Sequence, residues 1–208
     1  SLASTYLSRR KFDYLVGNPP WLSVRDIKSP HYSEFVHRQI LEEYKLLERD
    51  KTLLYTHMEL EVLFYVRCAD LYLKEEDRKN GGEGGTIAFV MPRAVMTPNL
   101  HGAFTAFSVK GSKLKLRLLK VLDLDQVEPL FKVPACVVIS YKGQDPTLRQ
   151  GFCKISRKAQ SSAYTVDWLV FQGSPPSRNA SWQDTQHRLK WEATQFELKD
   201  DKLSRSSE

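Results

Sequence analysis

Apolar residues fall into short continuous runs and longer stretches spaced at three and four residues. FDYLV at 12–16, closed by Gly17, predicts a buried strand of the parallel type. After the loop that follows, Val36, Ile40, Tyr44 and Leu47 lie along one side with charges opposite, which predicts an amphipathic helix from a Ser33 cap to about Glu48. From His57 to about Glu76 the spacing of Leu60, Leu63, Phe64, Cys68 and Leu71 predicts a second helix. Val62, Tyr65 and Val66 widen its apolar face beyond one stripe, so this helix is expected to pack on a sheet. RKNGGEGG at 78–85 breaks it, and TIAFVMP at 86–92 predicts a strand buried on both faces. Together these elements read as a βαβ unit with extra helical material inserted.

Further along, a helix is expected from about Asn99 to Lys110, then strands at 118–124 and 135–141. The connection between these strands, DQVEPLFKVP, is too short for a crossover helix, so they are expected to pair antiparallel. The fold class that follows is α/β, a mostly parallel sheet with an antiparallel edge strand. Beyond Gly143 the chain turns to polar loops with scattered aromatics, and KDDKLSRSSE reads as a disordered tail. Residues 1–145 are thus expected to form one unit and 146–208 an extension.

Composition narrows the class. With 208 residues and 41% hydrophobic content the chain can bury a sizeable core, and no apolar run approaches the ~20 residues of a membrane span. The N-terminus lacks the order of a secretory signal, so the expectation is a cytoplasmic protein with no membrane partner. Cys68, Cys136 and Cys153 have no C-x-x-C spacing and read as reduced core thiols, and the five histidines have no metal-ligand spacing. A formal net charge of +6 and a pI near 9.2 are compatible with nucleic acid. The basic clusters, at 8–11, 110–120 and 156–158, each read first as solvated faces.

The stretch with the most chemistry is NPPW at 18–21. Pro19 and Pro20 lack backbone donors and fix φ, which ends the strand and stiffens its exit. In an open α/β sheet, ligands bind outside the carboxyl ends of the strands. There the Asn18 side-chain oxygen and the Pro19 carbonyl offer two fixed acceptors suited to an –NH2 group, and Trp21 offers a flat apolar face beside them. A bare Asn-Pro-Pro also describes an ordinary strand exit, with Asn18 in a turn and Trp21 in the core.

The surrounding residues carry a resemblance. FDYLVGNPPWLS resembles the catalytic motif of the amino-directed, S-adenosylmethionine-dependent DNA methyltransferases of N6-adenine type. In order, LEVLFYVRCADLYLKEEDRKNGGEGGTIAFVMPRAVM resembles the helix, glycine break and strand that follow that motif, and VLDLDQVEPLFKVPACVVIS resembles the motif in which a phenylalanine precedes a valine-rich strand. The resemblance spans about residues 10–142 and is nearest the long adenine methylases of restriction-modification and phage-defence systems. It implies a Rossmann-like sheet and a double-stranded DNA partner. Asn18, Pro19, Pro20 and Trp21 would be catalytic, Asn18 and the Pro19 carbonyl accepting from the adenine N6 amino group. Trp21 and Phe131 would stack on the two sides of a flipped base, and Phe64 would lie against the cofactor's adenine, or else be a core phenylalanine on a helix face. The family often carries Asp-Leu-Tyr near the start of the second helix; here Met58, Glu59 and Leu60 stand there.

A glycine-rich loop after a first strand and an acidic residue to hold the cofactor ribose find no counterpart, since GGEGG precedes a strand. The expectation is therefore the C-terminal half of a methyltransferase catalytic domain, with the remainder of that chain as a partner. The extension from 146 would lead toward a target-recognition region. The same motif also fits methyl transfer to RNA bases or to a protein glutamine, and a non-catalytic nucleic-acid-binding remnant would keep the pocket alone.

Overall fold

In a computed structural model, residues 11–205 are described apart from 48, 97–100, 103, 105, 111–113, 129, 178–179 and 200–201. The apolar run before Asn18 forms β1 (Tyr14–Gly17), which pairs in parallel with β2 (Thr86–Pro92). Between them lie α1 (Pro30–Arg38) and α2 (Leu60–Tyr72), so the expected βαβ unit is formed. α1 begins earlier than the spacing predicts: Ser29, not Ser33, caps it by accepting from the Tyr32 backbone N–H, and Pro30 follows with its φ already helical. The helix also ends sooner than expected, at Arg38 with a π turn over Gln39–Glu43, so Tyr44 and Leu47 lie beyond it, although Val36, Ile40, Tyr44 and Leu47 are all buried.

Two lysines converge where α2 ends. Lys142 Nζ donates to the Asp70 carbonyl at 2.7 Å and the Leu73 carbonyl at 3.3 Å, and Lys11 Nζ donates to the Leu71 carbonyl at 2.7 Å. The last carbonyls of a helix have no partner within it and carry the negative end of its dipole, so two cations stabilise this end. Lys142 is buried and completes its charge balance with Glu75 Oε1 at 2.7 Å.

The rest of the sheet comes from β3 (Ser108–Lys110), β4 (Lys115–Val127), β5 (Ala135–Lys142), β6 (Gly151–Arg157), β7 (Tyr164–Phe171), β8 (Leu189–Lys199) and β9 (Lys202–Arg205). A short helix, α3 (Trp182–His187), precedes β8. The strand order is β1-β2-β5-β4-β6-β7-β8-β9, with β3 beside β4. The protein is thus α/β with a mixed sheet, and several expectations need correction.

Among the described residues only β1/β2 and β4/β6 are parallel and the other six pairs are antiparallel, so the sheet is not mostly parallel. β4 and β5 do pair antiparallel, but β5 lies inside the sheet between β2 and β4 and is not an edge strand. The cause is connection length for most of the antiparallel pairs, because after residue 107 successive strands are joined by links too short for crossover helices, except for the β7–β8 link, which carries α3. Ser108–Lys110 is strand where helix was expected; of that helix His101, Gly102 and Phe104 are helical, and 99–100, 103 and 105 lie outside the described residues. Four strands follow Gly143 where loops were expected, the first of them, β6, lying beside β4. Of the tail expected to be disordered, Lys202–Arg205 pairs with β8, and residues 206–208 lie outside the described ones.

One face of the sheet is well covered. Ile87, Phe89 and Met91 are buried on the side where Tyr65 of α2 packs its ring 5.6 Å from that of Phe89. The Tyr65 hydroxyl lies 2.6 Å from Ser140 Oγ on β5, tying helix to sheet through a buried hydrogen bond. β1, by contrast, is not buried on both faces: Tyr14 is 76% and Val16 84% exposed. It has β2 on one edge and no strand on the other among the described residues. β2 likewise alternates buried and half-buried positions instead of being buried on both faces.

Candidate functional site at the end of β1

β1 stops at Gly17, opposite Phe89, while β2 runs on to Pro92. The chain passes so near β2 here that a Cβ on Gly17 would stand 3.0 Å from the Phe89 ring. Asn18 and Pro20 are exposed and Pro19 is buried. Among the described residues, neither the Asn18 side chain nor the Pro19 carbonyl is engaged in a hydrogen bond. The acceptors that the sequence singles out are therefore uncommitted.

Trp21 is half-buried, and its Nε1 donates to the Val90 carbonyl at 3.4 Å, on the part of β2 that β1 no longer covers. The residues after it are tied to the start of α2: Leu60 N–H donates to the Leu22 carbonyl at 2.8 Å, and Val24 N–H to the Met58 carbonyl at 2.9 Å. Ser23 pairs with Glu59 in an antiparallel bridge between these bonds. Trp21 is thus anchored by its indole to β2 and by the backbone that follows it to the start of α2.

Phe131, 110 positions later in the β4–β5 connection, brings its ring to 5.3 Å from that of Trp21 with the planes inclined at 52°. The two walls that the sequence predicts for one pocket meet in space. They also touch, which corrects the picture of a ready slot. A base between two stacking faces needs about 3.5 Å on each side, ~7 Å in all, so one ring must move. Phe131 is the freer ring, 44% exposed between the exposed side chains of Leu130 and Val133.

The rim includes residues that the sequence reading passed over. Arg93, just beyond β2, pairs with Asp123 Oδ2 at 3.1 Å and Asp125 Oδ2 at 3.2 Å, and its backbone N–H donates to the Pro134 carbonyl at 2.9 Å. It thereby joins the exits of β2 and β4 to the entry of β5. The alternating acids of DLD at 123–125 were the available signal, since in a strand they share one face.

Beneath the loop, Glu61 is fully buried in the first turn of α2. Burial, with the neighbouring Glu59 carboxyl second, pushes its pKa up to about 9. Burial thus favours its neutral form, and neither of its carboxyl oxygens has a hydrogen-bond partner among the described residues. His101 is also buried, and loss of solvent lowers its pKa to about 4.

Phe64 is 38% exposed and lines a separate apolar groove of about 190 Å³ between α1 and α2, with Tyr32, Phe35, Leu71 and Tyr72. Neither Asn18 nor Trp21 lines that groove. The glycine cluster does not form a cofactor cradle: a Cβ on Gly84 would stand 2.0 Å from the Lys142 carbonyl, and one on Gly85 2.7 Å from the Phe12 carbonyl. These two glycines admit neighbouring backbone. No helix among them is long and apolar enough to cross a membrane.

No protein-family model matches the chain, and no curated protein does. Among solved structures, one described as a cryo-EM structure of a DrdV–DNA complex aligns with 95% of this chain at 11% identity and a TM-score of 0.47. The alignment spans 18% of that protein, so this chain covers under a fifth of its length.

Proposed function

We propose that the end of β1 receives an adenine base flipped from double-stranded DNA, as the substrate half of an N6-adenine methyltransferase. The observation that carries this reading is the meeting of Trp21 and Phe131 beside the uncommitted acceptors Asn18 and Pro19. In this reading the Asn18 Oδ1 and the Pro19 carbonyl accept the two N6 protons, which fixes the amino nitrogen and raises electron density on it. Pro20 stiffens the exit so that the acceptors need no reorganisation when the base arrives. Trp21 supplies the fixed stacking face, and Phe131 swings back to admit the base and closes on its other side.

S-adenosylmethionine would supply the methyl group, from a cofactor-binding half that these residues do not provide. The exposed edge and apolar face of β1 support a partner there, because an unpaired strand edge is completed most readily by another strand. Phe64 is the one residue proposed to reach the cofactor from this side. A cytoplasmic setting, membership of a restriction-modification system, the 1–145 and 146–208 division and a recognition role for the second segment belong to the same proposal.

The test is labelled methyl transfer from S-adenosylmethionine to DNA by a protein carrying this chain together with a cofactor-binding half. Asn18→Ala is expected to lose most transfer while cofactor binding persists. Undiminished transfer by that variant would refute the assignment of the acceptor pair.

A further inference from the structure

The basic stretch at 110–120 takes no part in the Asn18 site, yet two of its cations open onto another part of the molecule. Two adjoining depressions of about 270 and 560 Å³ meet at Arg117, Gln150 and Pro175. They lie where β5 ends and β4 begins. Because β5 is antiparallel to β2, that is the opposite end of the sheet from Asn18. A duplex presenting a base to Trp21 would approach the other end.

The lining is one-signed. Lys115, Arg117 and Arg149 border the depressions, and among the described residues no aspartate or glutamate does. Asp145 stands within electrostatic reach of Arg117 but is committed to Thr147, whose backbone N–H and hydroxyl donate to it at 2.8 and 2.7 Å. Arg117 is oriented from behind by one Nη donating to the Leu148 carbonyl at 3.0 Å. Its Nε is buried and has no acceptor among the described residues. The two Nη groups of the guanidinium form a planar fork that matches the paired oxygens of a phosphate. Gln150, held by its Nε2 donating to the Phe107 carbonyl at 3.0 Å, and the Phe171 ring complete a wall of mixed character.

We propose that this cleft binds a phosphate-bearing ligand of nucleotide size through Arg117, with Lys115 and Arg149 contributing charge. The larger depression falls within the usual range for small-ligand sites, about 300–1,000 Å³. The inference is independent of methyl transfer.

Calorimetric titration with pyrophosphate, with ATP and with a short oligothymidylate tests it. Saturable binding of pyrophosphate or ATP is expected, weakened about tenfold by Arg117→Gln, which keeps a donor for Leu148. Lys115→Ala, at an exposed position, is expected to weaken binding by a smaller factor without altering the melting temperature, so the test survives if the Arg117 variant fails to fold. Competition by the oligothymidylate would identify the ligand as nucleic-acid backbone, and its indifference would identify a free phosphorylated small molecule; both support a phosphate site. Absence of saturable binding to pyrophosphate and ATP, or unchanged affinity in both variants, would overturn it.

Discussion

The Trp21 and Phe131 rings lie 5.3 Å apart, in contact, although Trp21 is hydrogen-bonded to the strand beside it and Phe131 rides an exposed connection. The closed pair therefore has one fixed member and one free one. Phe131→Ala is expected to leave stability within about 0.5 kcal/mol, as for an exposed side chain, and to weaken adenine binding by about 1–3 kcal/mol, the worth of one stacking contact. Thermal melts and adenosine titrations on the same variant check both. A large fall in melting temperature would mean that Phe131 is packing and not a gate.

Lys142, a buried cation, is expected to contribute strongly to stability. Lys142→Met removes a buried ammonium from the Asp70 and Leu73 carbonyls and from Glu75, leaving the Asp70 carbonyl with Lys11 Nζ at 3.5 Å as its remaining side-chain donor. The loss should be about 3 kcal/mol by urea denaturation. Lys11→Met, at an exposed position on the same helix end, should cost under about 1 kcal/mol.

Two buried groups set opposing pH dependences. Glu61 is raised from 4.5 to about 9, so its contribution is fully present below pH 4.5 and is lost as pH rises toward 9, where the folded state holds one more proton than the unfolded. His101 is lowered from 6.5 to about 4, so its contribution is present above 6.5 and is lost as pH falls toward 4. Between 4.5 and 6.5 the two slopes cancel, and above 6.5 that of Glu61 stands alone. Melting temperature should therefore decline from pH 7 to 9 in the native protein, and Glu61→Gln should flatten that decline.

How much of this was legible in the sequence depended on whether local pattern or long-range packing decided each feature. β1, β2 and the helices between them follow from continuous apolar runs and a glycine break, and Trp21 and Phe131 were paired by motif order before any geometry. The face of α2 was harder. Its residues are apolar nearly all round, so periodicity could not separate Tyr65, which is buried, from Phe64, which is 38% exposed in its own groove. The start of α1 was misplaced because Ser29 and Ser33 are both competent caps, and Pro30 decides between them. β6 and β7 were missed because Lys154 and Asp167 interrupt their apolar runs, while these two residues stand opposite each other once the strands pair.

The glycine turn before β2 separates packing from backbone strain. Gly84→Ala would place a Cβ 2.0 Å from the Lys142 carbonyl and should prevent normal folding. Gly81→Ala meets nothing within 4 Å and sits at φ +70°, so only the left-handed backbone is penalised, by about 1–2 kcal/mol. Parallel urea titrations of the two variants should differ accordingly.

The claim that Asn18 and Pro19 accept an exocyclic amino group beside Trp21 is tested most directly on the indole Nε1–H resonance of Trp21 in ¹H–¹⁵N spectra. Adenosine should shift that resonance saturably, and N6,N6-dimethyladenosine, which has no N6 protons to donate, should bind much more weakly. Asn18→Ala should reduce the difference, leaving the part owed to the Pro19 carbonyl. Equal shifts from both nucleosides in the native protein, or no shift from either, would contradict the account.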